Sequence, residues 1–299
     1  MNSEAVMSLR PAGNEQYGGD ELHADGGKVM GMKFSFSTLG CPDWTLEEIL
    51  DFAAGNDLGV EIRGIGPNVN TADITELKPE NIDETRAMIG EYGVKIVGLG
   101  TSAFFDGHMP FPDALHEVDA AAVIAERLGV SMLRIFGDQI WDERISADIL
   151  RIAGDGIRAA CRLVEGTDIR LALEVHGQFN SAEQLRWLLD YVASPHFAVL
   201  WDIEHTATPD YRSFYETLKD GIIHIHLKDS TKLCSCLDGR GELVLPGDGV
   251  LMSELMPFLA GCGYDGWASF EWEKRWHRTT LPGPEVAFPR FVKFIGPYR

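Results

Sequence analysis

The chain has few basic side chains and no long apolar run. Lysine and arginine together number 26 against 46 aspartates and glutamates, which gives its 299 residues a net charge of −20. Repulsion from polyanions argues against a nucleic-acid partner or an anionic membrane surface. No apolar run approaches the roughly 18 residues of a membrane-spanning helix, and the N-terminus lacks the layout of a secretion signal. These absences predict a cytoplasmic protein that acts on a small molecule.

Cysteine is also scarce. The five cysteines are odd in number and scattered, which suits reduced thiols in a reducing compartment. Cys234 and Cys236 form a CxC pair, but no further cysteine or histidine lies at the spacing of a zinc site. We therefore interpret the pair as part of a loop rather than as a metal site.

The apolar pattern divides the chain into a tail and one domain. Residues 1–31 are rich in Gly, Asn and acidic residues without helical or strand periodicity, which predicts a mobile tail. The domain is expected to span residues 32–299. Within it, eight short apolar runs are candidate strands: KFSFSTL (33–39), VEIRGI (60–65), VKIVGLG (94–100), SMLRIFG (131–137), IRLALEV (169–175), FAVLWDI (197–203), GIIHIHLKD (221–229) and GWASFEWE (266–273).

Amphipathic helical patterns lie between these runs, among them TLEEILDFAAGNDL and ALHEVDAAAVIAERLG. Strands separated by helices require right-handed crossovers and a parallel sheet, and eight such units close into an α/β fold, the (β/α)₈ TIM barrel. An open doubly wound sheet is the main alternative. Its usual glycine-rich phosphate-binding turn is missing after the first strand, where the chain reads STLGCPDW, so the barrel is favoured.

Polar side chains follow four consecutive predicted strands. Strand 5 ends in LALEVHG, strand 6 in LWDIEH, strand 7 in IIHIHLKD and strand 8 in ASFEWE. The active site of a TIM barrel is built at these carboxyl-terminal strand ends. Strand side chains alternate, so the polar residues point into the barrel if Leu173, Val175, Ile225 and Leu227 pack outward against the helices.

A set of acidic residues converging inside a barrel predicts a metal ion. An ionised carboxylate there is strongly destabilised unless it is paired or bound to a cation. We choose as ligands the residues at or just beyond each strand end, namely Glu174, Asp202, His226 and Glu271. Three carboxylates and one imidazole suit a single divalent ion, Mn²⁺ first, with Mg²⁺, Co²⁺ or Zn²⁺ as alternatives.

Other polar residues near the strand ends have two interpretations each. His205 either caps the next helix or contacts the substrate, and Lys228 either pairs with Asp229 or donates to a substrate oxygen. We expect His205, Lys228 and His176 to bind substrate. His224 lies one pleat deeper than His226 and is expected to be a core histidine. Arg134 and Glu61 are further candidates for groups that surround the ligands or contact the substrate.

The same segments, with the LPGDGV turn after strand 7, resemble the xylose isomerase-like TIM barrel superfamily. The resemblance is to its sugar phosphate isomerases and epimerases, whose relatives include inosose dehydratase, ketose 3-epimerase and endonuclease IV. It implies metal binding by Glu174, Asp202, His226 and Glu271 and substrate contact by His205. Endonuclease IV-like members need further histidines after strands 2 and 3, where this chain has only a remote His108, so DNA cleavage is not expected.

Together these features predict a metal-dependent isomerase or epimerase of a sugar or related polyol that acts through an enediolate. Glu174 and Glu271 are the expected catalytic proton carriers. A dehydratase of inosose or 3-dehydroshikimate type would use the same site, and a non-catalytic barrel that binds metal or sugar is the other alternative. Because no arginine cluster follows strands 7 and 8 beyond Arg240 and Arg275, the substrate is expected to be uncharged. A homo-oligomer is compatible with the sequence.

Overall fold

Eight parallel strands close into a barrel in the spatial order β1-β10-β7-β6-β5-β4-β3-β2. The computed structural model describes residues 31–137, 146–233 and 241–299. The predicted (β/α)₈ barrel is confirmed. Most of the predicted tail, the CxC pair and Arg240 lie outside the described residues.

The elements have the following bounds. The barrel strands are β1 (Lys33–Ser37), β2 (Gly59–Ile62), β3 (Ile96–Phe104), β4 (Met132–Phe136), β5 (Arg170–Glu174), β6 (Phe197–Asp202), β7 (Ile222–Leu227) and β10 (Trp267–Phe270). A short antiparallel pair, β8 (Asp229–Ser230) and β9 (Leu243–Val244), follows β7. The described helices are α1 (Leu46–Gly55), α2 (Ile82–Tyr92), α3 (Phe111–Leu128), α4 (Ala147–Leu163), α5 (Ala182–Val192), α6 (Tyr211–Leu218), α7 (Leu251–Gly261) and α8 (Pro284–Ile295). None of them is long and apolar enough to cross a membrane.

Local sequence signals fix several helix ends. Thr45 precedes α1 and forms a capping box, because its side chain accepts from the Glu48 backbone N–H while the Glu48 side chain accepts from the backbone N–H of Thr45. Helices α2 and α3 end at Gly93 and Gly129, whose φ angles of 65° and 68° are left-handed. A glycine adopts this conformation without the steric penalty of a side chain, so both helices stop where the glycines predict.

Alternate side chains of the strands pack on the two sides of the barrel wall, and each side has its own apolar cluster. Leu173, Val175, Ile225 and Leu227 belong to the large core formed with the helices, as the alternation predicts. Met132, Ala172 and Leu200 form a separate small cluster. Met132, Ala172 and Leu200 each lie two positions before a polar residue, namely Arg134, Glu174 and Asp202. Since strand side chains alternate, these polar residues also point into the barrel, directly above the small apolar cluster.

Several strands differ from their predicted bounds, β3 and β7 among them. β3 continues past the predicted end at Gly100, because after a register shift Phe104 still pairs with Phe136 of β4. β7 ends at Leu227 instead of including Asp229, which begins the antiparallel pair with Leu243–Val244. The second change separates Lys228 from Asp229 and directs their side chains to different partners.

Candidate metal centre and active site

The four predicted ligands converge at the carboxyl-terminal end of the barrel. Glu174 and Asp202 are the last residues of β5 and β6, His226 lies one residue before the end of β7, and Glu271 directly follows β10. Their candidate ligand atoms all lie within 4.8 Å of one another, and all four residues are buried. Asp202 and His226 are direct partners in the β6–β7 register, which sets them at the same depth.

His226 presents its two ring nitrogens to different acidic groups. Nδ1 lies 3.2 Å from Oε1 of Glu174 and 3.3 Å from Oε2 of Glu271. Nε2 lies 3.0 Å from Oε1 of Glu61 on β2. A proton on Nε2 that is donated to Glu61 leaves the Nδ1 lone pair free to face the carboxylates, as a metal-binding histidine requires. Glu61 therefore has the geometry of a carboxylate that orients a ligand.

The Glu61 carboxylate also contacts the deeper histidine. Nε2 of His224 lies 2.9 Å from Oε2 of Glu61, and both residues are fully buried. Burial alone would raise the pKa of Glu61, but the charge of His226 and the hydrogen bonds of both histidines outweigh it and hold the pKa well below its usual range. His224 thus has the buried, hydrogen-bonded environment expected of a core histidine.

The donor set fits a divalent cation. Burial alone would lower the pKa of His226, but Glu271, Glu61 and Glu174 outweigh it and raise the pKa well above its usual range, which shows that these carboxylates favour a positive charge here. Oε2 of Glu174 is buried and accepts no hydrogen bond from any described residue. Three hard carboxylates with one imidazole are typical ligands for Mn²⁺, Mg²⁺, Co²⁺ or Zn²⁺.

Lys228 is a buried cation at the edge of this set. Its Nζ lies 2.8 Å from Oδ2 of Asp202, 2.8 Å from Oε2 of Glu271 and 2.6 Å from Oε1 of Glu273. Burial opposes its charge, but these carboxylates outweigh burial and raise the pKa of Lys228 well above its usual value. Lys228 is therefore a charged donor, 3.4 Å from Nε2 of His205, that opens onto the same cavity as the predicted ligands.

Asp229 does not pair with Lys228, so this alternative from the sequence is wrong. Its carboxylate accepts from the backbone N–H groups of Gly247, Gly249 and Met252, at 2.8, 3.1 and 3.2 Å. A side chain on Gly249 would come within 2.4 Å of Oδ1 of Asp229. Asp229 thus links the segment after β7 to the PGDGV turn and to the start of α7.

His205 and His176 lie against each other at the mouth. Their ring centroids are 4.7 Å apart, and both line the cavity. The backbone N–H of His205 donates to Oδ1 of Asp202 at 3.3 Å, which ties its loop to a predicted ligand. The cap of α6 is Asp210, so the alternative in which His205 caps that helix is wrong. Burial lowers the pKa of His176, which favours its neutral form.

These groups open into a cavity of about 400 Å³. Its lining combines the acidic cluster with two arginines and an aromatic rim: Leu39, Arg63, Val69, Ser102, Arg134, Phe136, Glu174, His176, His205, Lys228, Glu271, Glu273 and Trp276. The volume suits a small molecule of the size of a sugar or cyclic polyol.

The sequence profile of the xylose isomerase-like TIM barrel family matches residues 52–290, which is more than half of the chain. The chain belongs to the xylose isomerase-like TIM barrel family. No curated protein matches the chain in sequence.

Solved structures share this xylose isomerase-like barrel at low identity. The IOLI protein with a bound zinc atom is 18% identical with a TM-score of 0.69, and the match covers 90% of this chain and 99% of that one. The probable 3-DHS dehydratase AsbF from Bacillus anthracis is 18% identical with a TM-score of 0.66, over 81% and 93% of the two chains. D-allulose 3-epimerase from Methylomonas sp., in complex with D-allulose, is 15% identical with a TM-score of 0.69, over 90% and 98%. At these identities the likeness shows the fold alone.

Two residues that line the cavity of this xylose isomerase-like barrel were not identified from the sequence. Arg63 lies directly after β2, but the apolar run VEIRGI placed it inside a predicted strand. Trp276 follows β10 and is 53% exposed at the cavity rim. The strand-end rule would have found Arg63 if the end of β2 had been placed correctly, whereas no local signal marks Trp276 as a rim residue.

Proposed function

We propose that the protein is a divalent-metal-dependent isomerase or epimerase of a sugar or related polyol that acts through an enediolate. The observation that carries the proposal is the convergence of Glu174, Asp202, His226 and Glu271 beside the cavity. A divalent ion held by these four residues would act as a Lewis acid on a substrate carbonyl and its neighbouring hydroxyl, and stabilise the negative charge of the enediolate.

Glu174 and Glu271 are the proposed proton carriers. They extend from the ends of β5 and β10, which β6 and β7 separate in the barrel, and in this proposal they face the substrate from different sides. Burial alone would raise the pKa of Glu271, but His226 and Lys228 outweigh it and hold the pKa well below its usual range. Glu271 is thus ionised and able to take the C–H proton. Return of a proton by Glu174 to the opposite face gives epimerisation, and return to the neighbouring carbon gives isomerisation.

Lys228, His205 and His176 are the proposed substrate-binding groups. Lys228 is a charged donor held by Asp202, Glu271 and Glu273, so it can donate to a substrate oxygen without leaving its position. Neutral His176 can donate or accept a hydrogen bond with a hydroxyl group. The exposed ring of Trp276 at the rim can cover an apolar face of the substrate.

Loss of water from the same enediolate is the second candidate. Elimination requires an acid that protonates the departing hydroxyl, and Lys228 supplies one at 2.8 Å from Glu271. This assignment makes Lys228 essential for a dehydratase but only a binding group for an epimerase. The enone product of dehydration absorbs ultraviolet light, whereas the product of epimerisation does not.

Exchange with solvent deuterium tests both candidates. The Mn²⁺-loaded protein is incubated in D₂O with a panel of ketoses and keto-inositols, the ion is removed with a chelator, and loss of the C–H signal is followed by proton NMR. We expect metal-dependent exchange that Glu271→Gln abolishes and that the exposed-site control Glu91→Gln retains. Exchange that proceeds at the full rate in metal-loaded Glu271→Gln would contradict the two-carboxylate scheme. A wild-type protein that binds a panel member without any exchange would indicate a non-catalytic barrel.

A further inference from the structure

Two buried arginines lie side by side in the cavity wall. Arg63 directly follows β2 and is 7% exposed, and Arg134 lies in the middle of β4 and is 1% exposed. Gly100 of β3 lies between them. A side chain there would come within 2.4 Å of Cδ of Arg63 and 2.9 Å of Nη2 of Arg134. The absence of a side chain at Gly100 therefore leaves the space in which both guanidinium groups reach the cavity.

The two guanidinium groups have few anionic partners. Among the described residues, Arg63 donates hydrogen bonds to the carbonyl oxygen of Val69 and to Oγ of Ser102, at 2.5 and 3.0 Å, and both acceptors are uncharged. Nε of Arg134 lies 3.3 Å from Oε2 of Glu174. Nε and Nη1 of Arg134 are nevertheless buried without a hydrogen-bond acceptor in the described part of the chain. Among the described residues, Glu174 is the one carboxylate in a direct ion pair with either guanidinium group, while Glu117 and Glu271 act on Arg63 from farther away.

The hydrogen bonding of this arginine pair is incomplete within the described part of the chain. Burial, with the charge of Arg134, lowers the pKa of Arg63 to about 9, which leaves it charged at neutral pH. A buried cation is stable only when an anion or several acceptors compensate the loss of water. The hydrogen bond to Val69 explains how Arg63 supports the loop after β2. It does not explain the free donors of Arg134 or the presence of both groups in the cavity that holds the acidic cluster.

We propose that Arg63 and Arg134 bind a carboxylate of the substrate, which is therefore a polyol acid rather than a neutral sugar. The inference rests on the proposed function and names its substrate class. The planar donor fork of each guanidinium matches the two oxygens of a carboxylate. Because Arg134 contacts Glu174, the bound carboxylate would lie close to the carbon to which Glu174 returns a proton. A phosphate ester would place its anion farther from that carbon.

The sequence predicted an uncharged substrate because arginines were sought after strands 7 and 8. The structure supplies them instead from β2 and β4, the two neighbours of β3. The acidic cluster is compatible with an acid substrate because Arg134 and Lys228 lie beside its carboxylates Glu174 and Glu271.

Calorimetric titration of the Mn²⁺-loaded protein with matched probes tests the inference. One set is quinate, myo-inositol and myo-inositol 1-phosphate, and the other is D-gluconate, D-glucitol and D-glucitol 6-phosphate. We expect at least one acid to bind about 30-fold more tightly than the neutral member of its set. Equal or weaker binding of both acids, the absence of acid binding, or a preference for the phosphates would overturn the inference.

Substitutions distinguish binding of the acid by the arginine pair from direct binding of the acid to the metal. Arg63→Met should remove the advantage of the acid while affinity for the neutral probe is kept, and Arg63→Lys, which retains charge without the planar fork, should restore part of it. Arg158→Met on α4 is the matched control and should behave like the wild type. An acid that retains its full advantage in folded Arg63→Met and Arg134→Met contacts the metal instead, and the inference is then wrong. If Arg134→Met does not fold, the affinities of the Arg63 variants for the acid and the neutral probe decide between the two explanations.

The measurements also distinguish this inference from the proposed function. Metal content and deuterium exchange are recorded on the same wild-type and Arg63→Met preparations. A wild-type protein without metal or exchange would contradict the proposed function. A protein that binds metal and exchanges protons of neutral ketoses or keto-inositols, but shows no preference for acids, would contradict the carboxylate site alone.

Discussion

Nε2 of His226 lies 3.0 Å from Oε1 of Glu61, while Nδ1 of the same ring faces Glu174 and Glu271. The ring is held from the side opposite to the carboxylates, so its orientation does not depend on a bound ion. A carboxylate that accepts the distal N–H of a ligand histidine fixes the tautomer and makes the other nitrogen a better ligand. Glu61 thereby connects the first half of the barrel to a centre whose predicted ligands all lie in the second half.

Replacing Glu61 tests this relationship. Glu61→Gln preserves the size of the side chain but removes the negative charge that accepts from His226. We expect the affinity for Mn²⁺ to fall by about 10- to 100-fold, as for other such carboxylates. The measurement is a competition titration against a chelating dye. Glu91→Gln on the exposed face of α2 is the control, and an unchanged affinity in Glu61→Gln would show that Glu61 does not support the ligand.

Replacing Lys228 tests the charge balance of the centre. Without an ion, Lys228→Met leaves the buried carboxylates of Asp202 and Glu271 with less positive charge. The free energy of unfolding of the metal-free protein should fall by about 3 to 5 kcal/mol. Added Mn²⁺ should restore much of this loss, because the ion supplies the missing charge.

Urea unfolding of both proteins with and without Mn²⁺ measures this effect. The stabilisation by the ion should be larger in Lys228→Met than in the wild type. Lys219→Met, which removes an exposed lysine paired with Glu216, is the control and should show the wild-type response. An equal response in all three proteins would mean that Lys228 does not balance the charge of the centre.

Asp229 is predicted to act on stability rather than on the metal. Asp229→Ala removes the acceptor of three backbone N–H groups around the turn before α7. We expect the free energy of unfolding to fall by about 3 kcal/mol, since hydrogen bonds to a charged group are strong. Urea unfolding gives the value, and Asp229→Asn, which keeps one side-chain oxygen, should lose less. A loss of bound Mn²⁺ without a loss of stability would contradict the structural assignment.

The barrel and the composition of its mouth could be predicted because their signals are local. Apolar runs separated by amphipathic segments determine the order of strands and helices, and the strand-end rule brings Glu174, Asp202, His226 and Glu271 together. The structure brings these four side chains together, and their roles as ligands stay a prediction that metal analysis tests.

The features that could not be predicted depend on contacts distant in sequence. β2 ends at Ile62 because the backbone N–H of Arg63 donates to Oγ of Thr38 instead of to a neighbouring strand. Apart from the adjacent Ser230, the backbone partners of Asp229 lie 18 to 23 residues farther along the chain. Neither contact leaves a periodic trace in its own segment. The position of Arg63 beside Arg134 and the break after β7 were for this reason missed, although both shape the cavity.

Metal content is the most direct test of the account. Wild type and the Glu174→Ala/Asp202→Ala double variant are purified without chelator, supplied with Mn²⁺, dialysed and analysed by plasma mass spectrometry, with folding checked by circular dichroism. The account predicts about one equivalent of divalent metal in the wild type and none in the folded double variant. A wild type without metal, or a double variant that retains a full equivalent, would contradict a metal centre at these four residues.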